Sequence, residues 1–98
     1  MRKFMTTLTF PRHFTEEFLR LIPKQRAQVV RLLTQGKLAS FSLSIERSNA
    51  WMVVNAKSEE AVEDLLETFP MYDYIDYEIR ELAMHDVQHL GMPQLVLN

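Results

Sequence analysis

The stretch at residues 69–82, FPMYDYIDYEIREL, joins the end of a helical pattern to a regular strand pattern. Before it, apolar residues recur at the spacing of one helix face, at Val62, Leu65, Leu66 and Phe69. Pro70 lacks a backbone N–H and predicts the end of that helix. From Ile75 to Arg80 apolar and charged residues alternate, which predicts a strand with one apolar and one charged face. The chain is therefore expected to contain a helix followed directly by a sheet strand.

The first part of the chain predicts a strand followed by a long helix. Residues 3–10 are rich in threonine and aromatic side chains, which suit a strand, and Pro11 bounds them. Thr15 is a suitable N-cap, because Glu16 and Glu17 follow it where a helix N-terminus favours negative charge. The apolar stripe of this helix is expected to comprise Phe18, Leu21, Ile22, Ala27, Val30 and Leu33, with Val29 and Leu32 beside it.

Two residues predict where this helix is disturbed and where it ends. Pro23 disfavours the helical conformation of Ile22 and removes a hydrogen-bond donor, so we expect a kink or a restart at this point. Gly36 tolerates the left-handed conformation that commonly terminates a helix. The helix is therefore expected to end just before Gly36.

Residues 37–56 predict a β-hairpin, and a second helix follows it. Apolar side chains alternate with serines in residues 37–46, a polar turn is expected at 47–49, and residues 50–56 are mostly apolar. Ser58 is then a suitable N-cap for the helix that carries the apolar repeat described above.

The predicted order is therefore β-α-β-β-α-β, which is the ferredoxin-like α+β fold: a four-stranded antiparallel sheet with two helices on one face. We expect one such domain at residues 1–82. Two helices cover only one sheet face, so a second copy packed on the other face, as in a dimeric α+β barrel, is expected to cover it. The apolar tail at residues 83–98 is expected either to contact a neighbouring subunit or to fold back on its own domain.

Composition excludes several classes of function. The chain of 98 residues has a net charge of −2 with acids and bases interspersed, so neither nucleic acid nor a membrane is an expected partner. The absence of cysteine excludes disulfides, thiolate zinc sites and a cysteine nucleophile. No apolar segment of the signal-peptide or membrane-spanning type is present, so we expect a cytoplasmic location.

The run at residues 69–79 resembles the signature of the muconolactone delta-isomerase-like family. That signature is a hydrophobic residue and proline, two apolar or aromatic positions, and then Pro-Tyr-Met-Asp-Ile-Glu-Val. Pro70, Tyr74, Asp76 and Glu78 match it by identity. The resemblance extends more weakly over about residues 4–85: it includes Phe10-Pro11 after the first strand, Gly36 after the first helix and His85 after the last strand.

The chain departs from the family pattern in three places, one of which is its different and more apolar tail. Asp73 stands where the family has proline. The second strand of the isomerases is rich in Arg, His and Trp, whereas this chain has Ala39, Ser40, Ser42 and Leu43. A carboxylate on a lactone would need a cation that this strand does not supply.

The resemblance implies a homodimer or larger homo-oligomer and a cofactor-free proton shift in a small unsaturated lactone. Such a shift needs a base near the carbon and a donor that stabilises the enolate. Asp76 or Glu78 is the candidate base, and Tyr72, Tyr74 or His85 is the candidate donor, with Tyr74 and His85 preferred. The alternative is that the two carboxylates form a solvated strand face. The protein would then be a non-catalytic small-ligand-binding or assembly module.

No metal or other cofactor is expected. His85 and His89 have the i, i+4 spacing of a helical metal pair, and Asp86 is adjacent, but a third ligand is not evident. The expected partner apart from a second copy is a small-molecule ligand.

Overall fold

The computed structural model describes residues 1–88. Its elements are β1 (Arg2–Thr9), α1 (Glu16–Thr34), β2 (Leu38–Leu43), β3 (Asn49–Ala56), α2 (Glu59–Leu66), a short 3₁₀ turn (Tyr72–Tyr74) and β4 (Asp76–Leu82). The strands form one sheet in the order β2-β3-β1-β4, and all three pairings are antiparallel. The predicted ferredoxin-like α+β fold is confirmed.

The register of the sheet assigns every strand residue to one of two faces. On β1, Phe4, Thr6 and Leu8 are buried, and they face the helices. Leu8 lies opposite Ala50 on one side and Tyr77 on the other, so these residues share its face. The buried apolar core consists of Phe4, Leu8, Phe18, Val29, Leu32, Leu38, Ala50, Met52, Val54, Ala56, Val62, Leu66, Phe69, Met71 and Ile75.

Helix α1 begins as predicted, but only part of the predicted stripe is buried. The Thr15 hydroxyl accepts a hydrogen bond from the Phe18 N–H at 3.2 Å, which confirms the N-cap. Val30 and Leu33, which the sequence placed in the buried stripe, are 46% and 37% exposed. The helix residues that are fully buried are Phe18, Val29 and Leu32. Phe18 is buried as predicted, and the prediction was wrong for Val30 and Leu33 because α1 carries exposed apolar residues beside its packed face, and local spacing cannot choose between two adjacent stripes.

The restart predicted at Pro23 does not occur, since α1 runs through Pro23 without interruption. Proline leaves the carbonyl of Leu19 without its usual helical donor. Both residues are exposed, so water can satisfy that carbonyl. The end of the helix agrees with prediction: Gly36 has φ +76°, and the N–H of Lys37 donates to the carbonyl of Leu32 at 2.9 Å.

The hairpin differs from prediction at its turn. Strand β2 ends at Leu43, and the polar turn occupies residues 44–48. Ile45 was expected to continue the strand, but it is 88% exposed. The physical reason is the Ser44 hydroxyl, which accepts hydrogen bonds from the N–H groups of Ser48 and Asn49 at 3.0 Å and so closes the turn early.

Helix α2 begins at its predicted N-cap. The hydroxyl of Ser58 accepts from the Ala61 N–H, as predicted for the N-cap of α2. Helix α2 ends at Leu66, although Phe69 beyond it is still buried. Residues 83–88 have no regular secondary structure, and most of the predicted tail contact, at residues 89–98, lies outside the described residues. Within residues 1–88 no helix combines the length and the apolar character that a membrane crossing requires.

Candidate ligand pocket

A cavity of about 470 Å³ lies between α1 and the edge strand β2. This volume is in the range of small-molecule sites in proteins. Among the described residues, its lining comes from the β1–α1 connection, α1, β2, the hairpin turn and the segment after Pro70: Phe10, Phe14, Phe18, Ile22, Gln25, Arg26, Val29, Phe41, Leu43, Arg47 and Met71.

Aromatic rings form much of the pocket wall. The ring of Phe18 is fully buried and lies 4.6 Å from the ring of Phe14 and 6.4 Å from that of Phe10, centroid to centroid. Phe41 contributes another ring from β2. Such ring pairs are rigid and stabilise one another beyond the burial of their area. The wall therefore suits a flat, apolar ligand.

Gln25 is a polar residue in the packed face of α1. Its side-chain oxygen accepts a hydrogen bond from the N–H of Met71 at 3.2 Å. The amide nitrogen of Gln25 has no protein acceptor among the described residues, so it remains a donor available to a ligand. Gln25 was not among the site residues predicted from the sequence. The signal was a polar residue midway between Phe18 and Leu32, at the spacing of the buried stripe.

Two arginines also line the pocket, Arg26 from α1 and Arg47 from the hairpin turn. Neither forms an ion pair with a carboxylate in the part of the chain that is described. Arg47 donates to the carbonyl of Ile45 at 2.8 Å. Strand β2 itself carries no cationic side chain. The structure instead places two arginines on the helix and the turn that flank this strand.

The turn holds Arg47 in an unusual backbone conformation. Arg47 has φ +63°, in the left-handed region that side chains other than glycine rarely adopt. Its N–H donates to the carbonyl of Ser44, and the N–H of Phe10 donates to the carbonyl of Ser48, each at 3.0 Å. These hydrogen bonds close the turn and connect it to the end of β1, so they hold the backbone of Arg47 in place.

The acid nearest to Arg47 in sequence is engaged elsewhere. The Ser48 hydroxyl donates to Glu46 Oε1 at 2.9 Å. Hydrogen bonds from Ser48 and then Ser44 lower the pKa of the Glu46 carboxyl. Glu46 therefore stays ionised, is bound to a serine and does not belong to the described pocket lining.

The described lining supplies hydrogen-bond donors and positive charge, but it contains no side chain that commonly acts as a general acid or base. Aspartate, glutamate, histidine, tyrosine and lysine are all absent from its described residues. The pocket can therefore bind and orient a ligand, hold an anionic group and exclude water. A proton transfer would need a residue from outside this lining.

Of the predicted site residues, Tyr74 packs against a residue of the pocket wall, although it does not belong to the described lining itself. It lies on the 3₁₀ turn, and its ring is 5.6 Å from the buried ring of Phe18. Asp76 follows two residues later, at the start of β4, opposite Thr9 of β1. Because Phe10 follows Thr9 and lines the pocket, Asp76 begins its strand at the pocket end of the sheet.

The other predicted site residues lie farther along or after β4. Asp76 and Glu78 project from the sheet face opposite to the helices, since Tyr77 and Ile79 pack on the core. Glu78 is exposed and pairs with Arg80 at 3.3 Å. His85 is half-buried, and its Nε2 is buried without a described partner. The roles assigned to these four residues stay predictions.

A separate polar contact links α2 to β4, away from the described pocket lining. The hydroxyl of Tyr77 is 3.5 Å from Glu63 of α2. Burial, followed by the nearby hydroxyl of Tyr72, raises the pKa of Tyr77. Tyr77 therefore stays protonated and acts as a donor between α2 and β4.

No group of three or more histidine, aspartate or glutamate side chains within residues 1–88 is arranged to hold a metal ion. His89, the second member of the predicted histidine pair, lies outside the described residues.

The fold and the pocket define a ferredoxin-like α+β protein with a small-molecule cavity between a helix and a sheet edge. The sequence profile described as muconolactone delta-isomerase matches residues 4–88. The chain therefore belongs to the muconolactone delta-isomerase family, as the run at residues 69–79 predicted.

A solved structure supports the fold independently. The crystal structure of a muconolactone isomerase superposes with a TM-score of 0.70 and covers 91% of this chain and 96% of its own. The two sequences are 21% identical, so this likeness shows the shared fold. A search of curated proteins found no significant match.

Proposed function

We propose that this chain is an isomerase-like protein that binds a small unsaturated lactone or carbonyl compound between α1 and β2 and shifts a proton within it without a cofactor. The observation that carries the proposal is the cavity of about 470 Å³, with aromatic walls and two arginines. Membership of the muconolactone delta-isomerase family supports the type of ligand and the type of reaction.

Each group of described residues at the pocket would have its own role in such a reaction. The aromatic wall would exclude water and orient the plane of the ligand. The free amide N–H of Gln25 would donate to the carbonyl oxygen, where negative charge develops as the enolate forms. Tyr74, whose ring packs against Phe18 of the wall from outside the described lining, is a further candidate donor.

The base in this proposal is Asp76 rather than Glu78. Asp76 begins β4 at the pocket end of the sheet, whereas Glu78 lies farther along the strand and pairs with Arg80. In the single chain Asp76 is exposed on the helix-free face. The reaction therefore requires its carboxylate to reach the ligand around the start of β4.

A second candidate function is ligand binding without turnover. The specific observation in its favour is that the described lining contains no carboxylate, imidazole or phenol. In that case the chain would retain the cavity of the fold and would lack the proton transfer.

Solvent deuterium exchange separates the two candidates. The protein is incubated in D₂O with a panel of small unsaturated lactones and enolisable acids, and exchange is followed by NMR. If Asp76 is the base, Asp76→Asn should lower the rate by roughly 10²–10⁴-fold. Glu78→Gln is the matched control and should leave the rate nearly unchanged. Binding of the panel without any exchange would favour the non-catalytic function.

We also propose that a second copy covers the helix-free face of the sheet. Trp51 projects from this face with 41% of its surface exposed, and Met5 on the same face is half-buried, whereas Val53 opposite Met5 is already buried in the single chain. Light scattering of the full chain should give a dimer mass or a larger one, and Trp51→Glu should reduce it. A monomer mass for the unmodified chain at micromolar concentration would rule out this assembly.

A further inference from the structure

A second, smaller cavity lies behind the ligand pocket, on the side of the core, and is called the inner chamber below. Its volume is about 20 Å³, compared with about 470 Å³ for the pocket. The two cavities have four lining residues in common, which form the partition between them: Phe10, Gln25, Phe41 and Met71. The inner chamber adds three buried residues that do not belong to the described pocket lining: Leu8, Phe69 and Ile75.

We infer that the inner chamber receives one methyl-sized apolar branch of the pocket ligand, and that Ile75 limits the size of this branch. This assignment depends on the proposed function in one respect, since the body of the ligand must lie in the pocket between α1 and β2. It adds a substrate class, ligands with a methyl-sized branch, and a residue that determines specificity.

The size and the lining of the inner chamber decide what it can hold. One water molecule needs a space of roughly 10–15 Å³, so the chamber accommodates a single group of about that size. A buried water also needs about three polar partners. The described lining offers one polar side chain, Gln25, whose oxygen already accepts from the N–H of Met71. Nearly all of the remaining surface is apolar, so the chamber favours an apolar group over water.

Met71 gives the branch a way through the partition. Its side chain is unbranched and ends in a flexible thioether, which adapts to neighbouring groups at low cost. The backbone N–H of Met71 is held by Gln25 at 3.2 Å, so the side chain can turn aside while the wall of the pocket stays in place. A methyl branch can therefore pass from the pocket into the chamber without unfolding of the surrounding core.

Ile75 connects the inner chamber to the start of β4. It lies between Tyr74, whose ring packs on Phe18, and Asp76, the first residue of β4. Isoleucine is β-branched and restricted at χ1, so the chamber wall is rigid at this position. A branch that contacts Ile75 would bring the ligand towards the end of the sheet at which the proposed base lies.

The test compares ligands that share one body and differ only in their branch: benzoate, the three toluates and the three ethylbenzoates. Their affinities are measured by isothermal titration calorimetry on the full chain at pH 7. One toluate isomer should bind about 4-fold more tightly than benzoate and its own two isomers, because burial of one methyl group contributes on this scale. The ethylbenzoate with its branch at the same ring position should lose this gain, since the chamber holds one methyl-sized group.

A pair of matched variants assigns the effect to the chamber. Ile75→Val removes one methyl group from the chamber wall, so the ethylbenzoate that fits poorly in the unmodified chain should gain about 4-fold in affinity. Ile79→Val is the control, because it makes the same change in a β4 residue that packs on the core outside the described lining of both cavities. Ile79→Val should leave the order of affinities unchanged.

The outcomes separate the chamber from the proposed function. Equal affinities of benzoate and the toluates, no detectable binding of these acids at millimolar concentration, a methyl preference that Ile75→Val leaves unchanged, or the same shift in Ile79→Val would each overturn the assignment. A preference that Ile75→Val moves from methyl to ethyl supports the chamber even if no substrate exchanges deuterium, and the isomerase proposal would then fail alone. Exchange that is as fast with unbranched lactones as with all of their methyl derivatives would retain the isomerase and overturn the chamber.

Discussion

The side-chain oxygen of Gln25 accepts a hydrogen bond from the backbone N–H of Met71 at 3.2 Å and joins the middle of α1 to the connection between α2 and β4. Met71 is only 6% exposed, so its N–H has little access to water. A buried donor that loses its partner destabilises the fold. The bond therefore serves both the fold and the pocket, since both residues line the cavity.

Two substitutions at Gln25 separate these roles. Gln25→Ala leaves the Met71 N–H without its acceptor and should lower the free energy of unfolding by about 1–3 kcal/mol in urea denaturation. Gln25→Glu retains an oxygen acceptor but adds negative charge to the pocket, so it should lose less stability while binding of the enolisable acids of the panel falls at least about 10-fold. If Gln25→Ala is as stable as the unmodified chain, the bond has no structural importance.

Arg47 is expected to reduce stability while it contributes to binding. Its φ of +63° is a conformation that glycine adopts without strain. Arg47→Gly should therefore raise the free energy of unfolding by about 1 kcal/mol, while the affinity for the enolisable acids of the panel falls. Arg47→Val is the contrasting variant, because a β-branched residue is poorly tolerated there, and it should be less stable than Arg47→Gly. Equal stability of the two variants would show that the turn relaxes.

Thr6 offers a test of an unsatisfied buried group. Its side chain is fully buried on the helix-facing side of β1, and its hydroxyl has no described hydrogen-bond partner. Thr6→Val removes a buried polar group at similar volume and should raise the free energy of unfolding by about 1 kcal/mol. Thr7→Val, on the opposite face of the same strand, should change it less. A destabilised Thr6→Val would indicate that the hydroxyl has a partner in solution.

Two adjacent leucines of α2 distinguish the packed position from the partly packed one. Leu66 is fully buried and Leu65 is half-buried, although the sequence repeat includes both. Leu66→Ala should cost about 2–5 kcal/mol of unfolding free energy, and Leu65→Ala should cost less. Thr15→Ala removes an N-cap and should cost about 1 kcal/mol. Denaturation curves that rank Thr15→Ala as the worst of the three would contradict the packing of α2.

The ion pair between Arg2 and Glu81 predicts a small dependence of stability on acid. The Arg2 Nε lies 2.8 Å from Glu81 Oε2, and this hydrogen bond lowers the pKa of the Glu81 carboxyl. A lowered pKa means that the folded state binds fewer protons than the unfolded state, so the stabilisation is present above the ordinary carboxyl pKa and is lost as pH falls below about 4. Both side chains are largely exposed, so salt should weaken the effect.

The comparison for this prediction is Arg2→Gln. Unfolding free energies at neutral and acid pH should differ less in Arg2→Gln than in the unmodified chain, and carboxyl NMR should show a higher Glu81 midpoint in the variant. An unchanged midpoint would show that the pair does not persist in solution.

Much of the fold could be predicted because its signals are local. Thr15 and Ser58 cap helices through atoms three residues away, and Gly36 ends α1 through its own backbone conformation. The alternation from Ile75 to Arg80 assigned the faces of β4 once the strand existed. Interactions of this range depend on neighbouring residues alone, so the order of elements and the family signature were accessible from the sequence.

The pocket was decided by tertiary structure. Arg26 and Arg47 come from different elements, and nothing in their local sequence sets them against the same cavity. Even the packed face of α1 was chosen by what lies beneath it: Gln25 is accepted there because Met71 supplies a donor from a distant segment. The sequence determined which helices and strands form. Long-range packing and the pairing of buried polar groups determined where those elements meet, because these contacts stabilise the protein only after the chain has folded.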